Sequence, residues 1–368
     1  MKVMIIGPLP PYRGGIAHSN YILCKNISKN NELIAISFSR LFPKTLYPGK
    51  FQETNNSGNK IMDFTVRREL DSINPLSWIK VFWIILKEKP DRVTFQWWHT
   101  FFTPAYFTIA ILTKLLTKTK ISMIIQNAVP HEKNPVHDFL TKIMFFPIDY
   151  FITLSNSDKK IILQMKKKAD VNFLPEPAYS EYFGEEKNGK RKISNKIMFF
   201  GFVRKYKGLH FLLDAMPEII KQNPKIKLMI VGEFWQDKNE YITKIKKLKL
   251  ENKIDIVDRY VRDEEVYGFF SKTDAVVLPY VSSTQSGIIQ MAIGFGTPVI
   301  STDVGGNKDL VKSGKNGLLV KPKDSNAIAN AINEFYGKNL FEKFRKEMLK
   351  EREDLKWNME KEKIFLKK

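Results

Sequence analysis

KIMFFGFVRKYKG, residues 196–208, is the stretch that decides the fold of this chain. Its first five residues, Lys196–Phe200, form a short apolar run that predicts a buried strand, and Gly201 marks the end of that strand. Apolar runs of this kind recur along the whole chain and alternate with helical patterns. Buried strands that alternate with helices predict βαβ crossovers and parallel sheets.

The predicted strands fall into two groups. The first group is Val3–Ile6, Leu33–Phe38, Arg92–Gln96, Ile121–Gln126, Phe151–Leu154 and Val171–Leu174, and the second is Lys196–Phe200, Lys227–Val231, Ile254–Val257, Ala275–Leu278 and Pro298–Ser301. Pro175, Pro177 and the polar run 185–192 interrupt the pattern between the groups. We therefore predict an α/β fold with two Rossmann-like domains, residues 1–178 and 179–345, and ligands in the cleft that two such units leave.

The composition fits two such domains. The chain has 368 residues, 43% of them hydrophobic, which is enough for two cores. Lys and Arg number 60 against 39 Asp and Glu, and the net charge of +21 predicts affinity for anionic lipid or phosphorylated substrates, although a lysine-rich coding bias accounts for part of it.

The single cysteine, Cys24, excludes an internal disulfide and fits a reducing cytosol. The apolar run at residues 3–6 is too short for a signal peptide.

The uncharged stretch between Arg92 and Lys114 needs a separate explanation. It contains Gln96, His99 and Pro104, which favour a strand, a loop and a helix over a membrane span. The helix that follows Pro104 is apolar all round, so it is either well buried or partly membrane-facing.

Glycines and cations after two predicted strands suit phosphate binding. Gly14 and Gly15 open a helix, where backbone N–H groups can meet an anion, although an ordinary tight turn has the same pattern. Arg204 and Lys207 follow Gly201 and offer a planar fork and a point charge to a diphosphate, with a plain basic loop as the alternative.

A polar loop before another predicted helix offers a second phosphate cradle. The loop consists of Thr284, Gln285, Ser286 and Gly287. The N–H groups of Ser286, Gly287 and Ile288 are expected to hold a phosphate at the helix N-terminus. Gln290 lies near the first helical turn, where its amide suits a ribose hydroxyl.

The acceptor side carries a weaker signal. Trp97, Trp98 and His99 end a strand of the first domain, and Gln126 ends the next one. Aromatic side chains stack on sugar rings or sit at lipid headgroups, with core packing as the alternative. The basic residues do not gather with aromatics in a recognisable nucleic-acid module, so no nucleic-acid partner is predicted.

Taken in order, the motifs resemble glycosyltransferase family 4 over nearly the whole chain, most densely from residue 196 to 325. The ordered set is Gly14-Gly15, the Gly-x-x-Arg-x-Tyr-Lys-Gly pattern at 201–208, Val231-Gly232-Glu233, the segment from Asp274 to Tyr280, Ser286-Gly287, Gly-Thr-Pro-Val-Ile at 296–300 and Asp-Val-Gly-Gly at 303–306.

The resemblance implies the GT-B fold and a retaining sugar transfer without a bound metal. Arg204 and Lys207 match the cations that hold the donor diphosphate, and Gly15 matches a glycine loop that faces the same phosphates. The remaining donor-binding candidates are Gly14, Gly201, Glu233, Thr284, Gln285, Ser286, Gly287, Ile288 and Gln290. Trp357 resembles part of the final segment of the family, so residues 346–368 are expected to cross back to the first domain.

The chain departs from the family pattern at two places. Family members often carry two glutamates around the phosphate cradle, whereas this chain has Ser283 or Thr284 near the first position and Gln290 or Met291 near the second. Many members also have a histidine where Gln126 stands. His131 is therefore the candidate catalytic histidine, or else a residue that structures its loop.

These observations predict a metal-independent, retaining hexosyltransferase. Its donor is a UDP- or GDP-sugar, a substrate rather than a cofactor, and its acceptor is a glycan or a lipid-linked precursor of a cell-surface polysaccharide or lipopolysaccharide. Arg204, Lys207 and the helix amides would stabilise the charge that builds on the departing phosphate. We expect a cytoplasmic enzyme, peripheral on an anionic membrane surface. The alternatives are a nucleotide-sugar epimerase, a glycogen-type synthase or an inactive nucleotide-sugar-binding subunit.

Overall fold

The computed structural model describes residues 1–47, 49, 51–54, 63–128, 135–184, 191–283 and 286–367. The chain forms two compact units, one made of Met1–Glu176 with Trp357–Lys368 and the other of Pro177–Lys356. Each unit has one parallel sheet, with seven strands in the first and six in the second. The predicted class of two Rossmann-like α/β domains is confirmed.

The first unit is built on a sheet in the order β3-β2-β1-β4-β5-β6-β7. Its strands are β1 (Lys2–Ile6), β2 (Glu32–Arg40), β3 (Val66–Asp71), β4 (Arg92–Trp97), β5 (Lys120–Ile125), β6 (Tyr150–Thr153) and β7 (Val171–Phe173). Its helices are α1 (Gly15–Ile27), α2 (Pro75–Glu88), α3 (Thr103–Leu116), α4 (Pro135–Phe145) and α5 (Asn156–Met165). The central strands are buried on both faces, which explains their continuous apolar runs.

The helices of this unit divide between the two faces of the sheet. The connection through α1 leads from β1 to β2, whereas those through α2, α3 and α4 lead in the opposite direction along the sheet. Because such crossovers are right-handed, α2, α3 and α4 share the face opposite to α1. Helix α3 packs against both α2 and α4.

The second unit has the strand order β10-β9-β8-β11-β12-β13. Its strands are β8 (Lys196–Phe200), β9 (Lys227–Val231), β10 (Ile254–Val257), β11 (Ala275–Leu278), β12 (Val299–Thr302) and β13 (Gly317–Val320). Its helices are α6 (Ser180–Phe183), α7 (Leu209–Gln222), α8 (Lys238–Lys247), α9 (Asp263–Ser271), α10 (Gly287–Gly294), α11 (Asn307–Leu310), α12 (Ser325–Gly337) and α13 (Phe341–Leu355).

Two strands were not predicted from the sequence, and both lie at sheet edges. Strand β3 carries Arg67, Arg68 and Glu69, because an edge strand is only partly covered and tolerates charge. Strand β13 pairs only with β12, and half of its residues are buried. None of the described helices is long and apolar enough to cross a lipid bilayer.

The end of the chain returns to the first unit at Trp357, eleven residues beyond the predicted start of the crossing segment, because α13 packs against α10 inside the second unit. The final helix, α14 (Met359–Leu366), is fixed by charged and polar contacts. The buried Arg92 guanidinium donates to the carbonyls of Phe365 and Leu366 at 3.2 and 2.9 Å. These carbonyls lie at the negative end of the helix dipole, where a cation is favourable.

Replacing this guanidinium should loosen α14. We expect Arg92→Met to speed amide exchange in residues 357–367 by about tenfold, because two helix-terminal carbonyls lose a charged donor. Hydrogen–deuterium exchange with mass spectrometry measures this directly. Arg67→Met, which breaks a part-exposed ion pair with Glu88, is the matched control and should leave α14 protected. Equal exchange in both variants would contradict the assigned role of Arg92.

Candidate functional site

The Lys207 ammonium lies against glycine backbone beside the start of a helix. A Cβ atom placed on Gly201 would lie 3.1 Å from the Lys207 Nζ and 3.4 Å from the Cδ1 of Ile288. The cation and the first turn of α10 are therefore neighbours at the C-terminal end of β8. This is the juxtaposition of Gly201, Lys207 and Ile288 that the sequence predicted, within the second unit.

Close backbone packing holds the loop that carries Lys207. Gly208 has a φ of 67°, and a Cβ there would fall 1.9 Å from the Pro279 carbonyl oxygen. The Val281 amide donates to the Tyr206 carbonyl at 2.7 Å. Only glycine fits this approach, so the loop is fixed against the segment that follows β11.

Burial changes the acidity of this lysine. Desolvation, followed by the nearby positive charge of Arg204, lowers the pKa of Lys207 to about 8. No carboxylate in the described part of the chain forms an ion pair with Lys207 or Arg204. An anionic ligand would supply the missing countercharge.

Arg204 is exposed and rests on aromatic rings. Its guanidinium carbon lies 5.1 Å from the ring centre of Tyr206 and 5.5 Å from that of Trp235. These contacts orient the guanidinium without occupying it in a carboxylate pair. Arg204 and Lys207 thus offer a fork and a point charge from one short loop.

The N-terminus of α10 has no side-chain cap from its N-cap residue. Its N-cap residue, Ser286, is buried and makes no side-chain capping bond, while the Tyr280 hydroxyl lies 3.5 Å from its Oγ. A Cβ on Gly287 would lie 3.2 Å from the Tyr179 hydroxyl, so a small residue is favoured there. Amides at a helix N-terminus attract anions, as predicted for Ser286, Gly287 and Ile288.

Gln290 lies deeper in the same helix than the sequence suggested. Its side chain is 1% exposed, and neither its Oε1 nor its Nε2 has a hydrogen-bond partner among the described residues. A buried amide without partners costs free energy of about 1–3 kcal/mol. Such a cost is typical of a binding site that awaits a polar ligand.

An aromatic cluster beside Arg204 was missed in the sequence analysis. The ring of Phe202 lies 4.3 Å from that of Trp235 and 6.1 Å from that of Tyr260. The three residues follow β8, β9 and β10, so the parallel sheet brings them to one edge. Glu233, a donor-binding candidate, is buried and accepts a hydrogen bond from the Trp235 indole at 3.2 Å. It therefore orients the cluster.

In the first unit, the glycine loop lies over a chain of buried amides. Gln126 donates to Gln96 at 3.3 Å, and Gln96 donates to Asn20 at 3.0 Å. Asn20 in turn donates to the Pro8 carbonyl at 3.0 Å, which links the chain to the loop before α1. Gly14 caps α1 with a φ of 109°, which favours glycine, and Gly15 is the first helical residue.

The acceptor candidates at the end of β4 differ in burial. Trp97 is buried in the core and packs edge-on against Phe145, with the ring centres 6.2 Å apart. For this residue the structure agrees with core packing, the alternative to sugar stacking. Trp98 is partly exposed and packs on Phe102 at 4.3 Å. His99 is partly buried, and desolvation followed by the nearby His137 lowers its pKa. Of the three, Trp98 and His99 have accessible surface.

His131, Thr284 and Gln285 lie outside the described residues. The chain just before residue 129 is anchored by a carboxylate that the sequence analysis did not single out. Buried Asp158 accepts hydrogen bonds from the Ala128 amide at 2.9 Å and from the Ser155 hydroxyl at 2.6 Å. Desolvation raises the pKa of Asp158. No sequence signal separates this residue from an ordinary first-turn aspartate.

Comparison with solved structures identifies the class of fold. The chain is similar to Anabaena Alr3699/HepE, solved in complex with UDP-glucose, with a TM-score of 0.72 and 15% identity over 96% of this chain and 94% of that one. This likeness confirms the predicted GT-B fold.

The second unit also matches a family model. Residues 194–338 match the family described as Glycosyl transferases group 1. Spore coat protein SA of Bacillus subtilis (strain 168) is 28% identical over 131 residues, 34% of this chain and 34% of that protein. The GDP-mannose:glycolipid 4-beta-D-mannosyltransferase of Xanthomonas campestris pv. campestris is 27% identical over 123 residues, 33% of this chain and 34% of that protein. The chain thus spans about a third of the length of these curated relatives.

The pKa of Lys207 predicts how ligand binding depends on pH. Its ammonium is charged at neutral pH and loses its proton as the pH rises through about 8. Because a diphosphate needs the charged form, UDP affinity should fall about tenfold from about pH 7 to about pH 9. Calorimetric titrations of UDP at both pH values test this. Lys207→Arg keeps its charge and should flatten the dependence, whereas a flat wild-type profile would contradict the assignment.

Proposed function

We propose that this chain is a glycosyltransferase whose second unit binds the diphosphate of a nucleotide-sugar donor. The main support is the Lys207 ammonium, which lies without a carboxylate partner against Gly201 and the first turn of α10. Further polar groups lie around the same strand ends: Arg204, the α10 amides and the unpartnered Gln290 side-chain amide. These groups can still form hydrogen bonds with a ligand. The match of residues 194–338 to group 1 glycosyl transferases supports the same activity.

The proposed donor pose follows from the chemistry of each group. The diphosphate contacts Lys207, Arg204 and the amides of Gly287 and Ile288, and Gln290 binds a ribose hydroxyl. The aromatic cluster of Phe202, Trp235 and Tyr260 offers a flat surface for the nucleobase. UDP- and GDP-hexoses are the proposed donors.

The cations also account for catalysis in this proposal. Breaking the bond between the sugar and the phosphate builds negative charge on the leaving diphosphate. Preorganised donors that meet this charge in a partly desolvated site stabilise the transition state more than they would in water. Lys207 and Arg204 thus take the part that a metal ion plays elsewhere, and we propose a retaining transfer in which the acceptor hydroxyl gives its proton to the departing phosphate.

The first unit is assigned the acceptor. Trp98 and His99 are partly exposed just after β4, Gln126 directly follows β5, and His131 comes next in the sequence. The acceptor is proposed to be a glycan or a lipid-linked precursor, in line with the glycolipid acceptor named for the Xanthomonas relative. A lipid-linked acceptor places the protein at the inner face of the cytoplasmic membrane.

Alanine variants of the two cations test the donor site. Arg204→Ala and Lys207→Ala should each weaken UDP-sugar or GDP-sugar binding by about 100-fold, because each removes a charge-assisted bond to phosphate. Lys205→Ala is the matched control, since this exposed lysine between them lines a different groove with His210 and Lys244. Calorimetry with a panel of UDP-, GDP- and dTDP-sugars gives the affinities.

Transfer is then measured with labelled donor and membrane lipid extract. Sugar on lipid or glycan supports the proposal. Donor binding without transfer would instead support the inactive-subunit alternative, and release of free nucleotide without an acceptor would support the epimerase. Unchanged affinity in the Arg204 and Lys207 variants would contradict the site.

A further inference from the structure

Large apolar side chains crowd one face of the first unit. Eight of the sixteen exposed large hydrophobic residues in the described part of the chain lie on α2, α3 and α4 or just after α4. We call these residues the apolar face: Leu76, Ile79, Trp83, Leu115, Leu116, Val136, Phe139 and Phe146. Leu76, Trp83 and Phe146 have more than half of their surface exposed, at 79%, 64% and 73%.

The spacing of these residues places them on the outward side of their helices. Leu76, Ile79 and Trp83 recur at helical intervals along α2, Val136 and Phe139 do so along α4, and Phe146 directly follows α4. The inward positions of α2, such as Val81 and Ile85, are buried in the core. Both sides of the helix are therefore apolar, which packing within the first unit does not require.

The three helices place these residues side by side. They share one face of the sheet, and α3 contacts both of its neighbours. Exposed apolar side chains that gather on one face of a domain mark a site of association.

Unpaired lysines border the apolar face. Lys87, Lys89, Lys118 and Lys142 are exposed and form no ion pair with the described residues, whereas Lys80 and Lys114 pair with Glu69 and Asp149. On the same helices Glu88 is held by Lys2 and Arg67, and Asp138 is exposed. Asp91, in the loop after α2, is also exposed, so four lysines face two carboxylates and the free charge of this border is positive on balance.

A groove joins the two kinds of residue. It has a volume of about 650 Å³ and lies where α2 and α3 end. Its apolar lining is Ile85, Leu86, Leu115 and Leu116, and its charged lining is Lys89, Lys118 and Asp91. Apolar walls with ammonium groups beside them suit an acyl chain under an anionic headgroup.

We propose that the apolar face and its lysine border form the surface by which this protein binds an anionic lipid bilayer. Trp83, Phe139 and Phe146 enter the interface between headgroups and acyl chains, and the four unpaired lysines contact lipid phosphates. A second copy of this chain is a poorer occupant. A symmetric dimer would bring two sets of like-charged lysines together, and the chain already carries a net charge of +21.

The proposal specifies the membrane partner of the proposed function, and its test is independent of the donor site. Full-length protein is floated with vesicles of phosphatidylcholine, with or without a quarter of phosphatidylglycerol, at about 0.1 M and about 1 M salt. We expect binding to the anionic vesicles that weakens at high salt. The double variant Trp83→Ser with Phe139→Ser should bind the anionic vesicles more weakly by about tenfold or more. At low salt, the double variant Lys87→Gln with Lys118→Gln should lose vesicle binding to the same extent.

Matched controls use exposed residues elsewhere in the chain. Ile193→Ser with Met359→Ser removes two exposed apolar side chains, and Lys246→Gln with Lys247→Gln removes two exposed lysines of α8. Both controls should bind vesicles like the wild type, and all four variants should keep wild-type affinity for the nucleotide-sugar. A wild type that binds anionic vesicles but no nucleotide-sugar would contradict the proposed function and not the membrane-binding surface.

Three results would contradict the proposal that the apolar face binds a membrane. One is wild-type vesicle binding in the Trp83/Phe139 variant. Another is loss of vesicle binding in the α8 control alone. The third is a dimer of the wild type in analytical ultracentrifugation, together with a monomeric Trp83/Phe139 variant that binds vesicles as the wild type does. The apolar face would then be an interface between copies of this chain.

Discussion

A lysine ammonium kept without a carboxylate partner against glycine backbone is the constraint on which the second unit depends. Gly201 leaves the space that the Lys207 Nζ occupies, and a Cβ on Gly232 would fall 2.1 Å from the Gly201 carbonyl oxygen. Gly208 lets the loop turn back beneath Pro279. The glycines of this region therefore let a partly buried charge and a helix N-terminus approach each other, at a cost in stability that an anionic ligand would offset.

Buried amide side chains in the two units differ in their hydrogen bonds. In the first unit the amides of Asn20, Gln96 and Gln126 bond one another in a chain, so the loop before α1 rests on a satisfied network. In the second unit Gln290 is equally buried, yet no described residue bonds its amide. Satisfied networks stiffen a fold, whereas unsatisfied groups cluster where a ligand completes them. This contrast supports the proposal that the donor binds to the second unit.

The sequence predicted the central strands well because burial on both faces leaves continuous apolar runs such as Ile197–Phe200. It did not predict the edge strands β3 and β13, whose charges or partial burial weaken that signal. The cation loop was predictable because Arg204 and Lys207 follow a strand directly. The aromatic cluster of Phe202, Trp235 and Tyr260 was not, because its three members follow three separate strands. The apolar outer face of α2 also needed the structure, because an apolar stripe in a sequence does not reveal which side packs inward.

The most direct test of the central claim is the pKa of Lys207 itself, measured by NMR on isotope-labelled lysine with Lys207→Arg to assign the signal. The account predicts a pKa of about 8 in the free protein. It also predicts a rise when UDP binds, because a diphosphate favours the charged ammonium. A free pKa near the ordinary value for lysine that UDP leaves unchanged would contradict it, because Lys207 would then be an ordinary solvated side chain with no anion to neutralise.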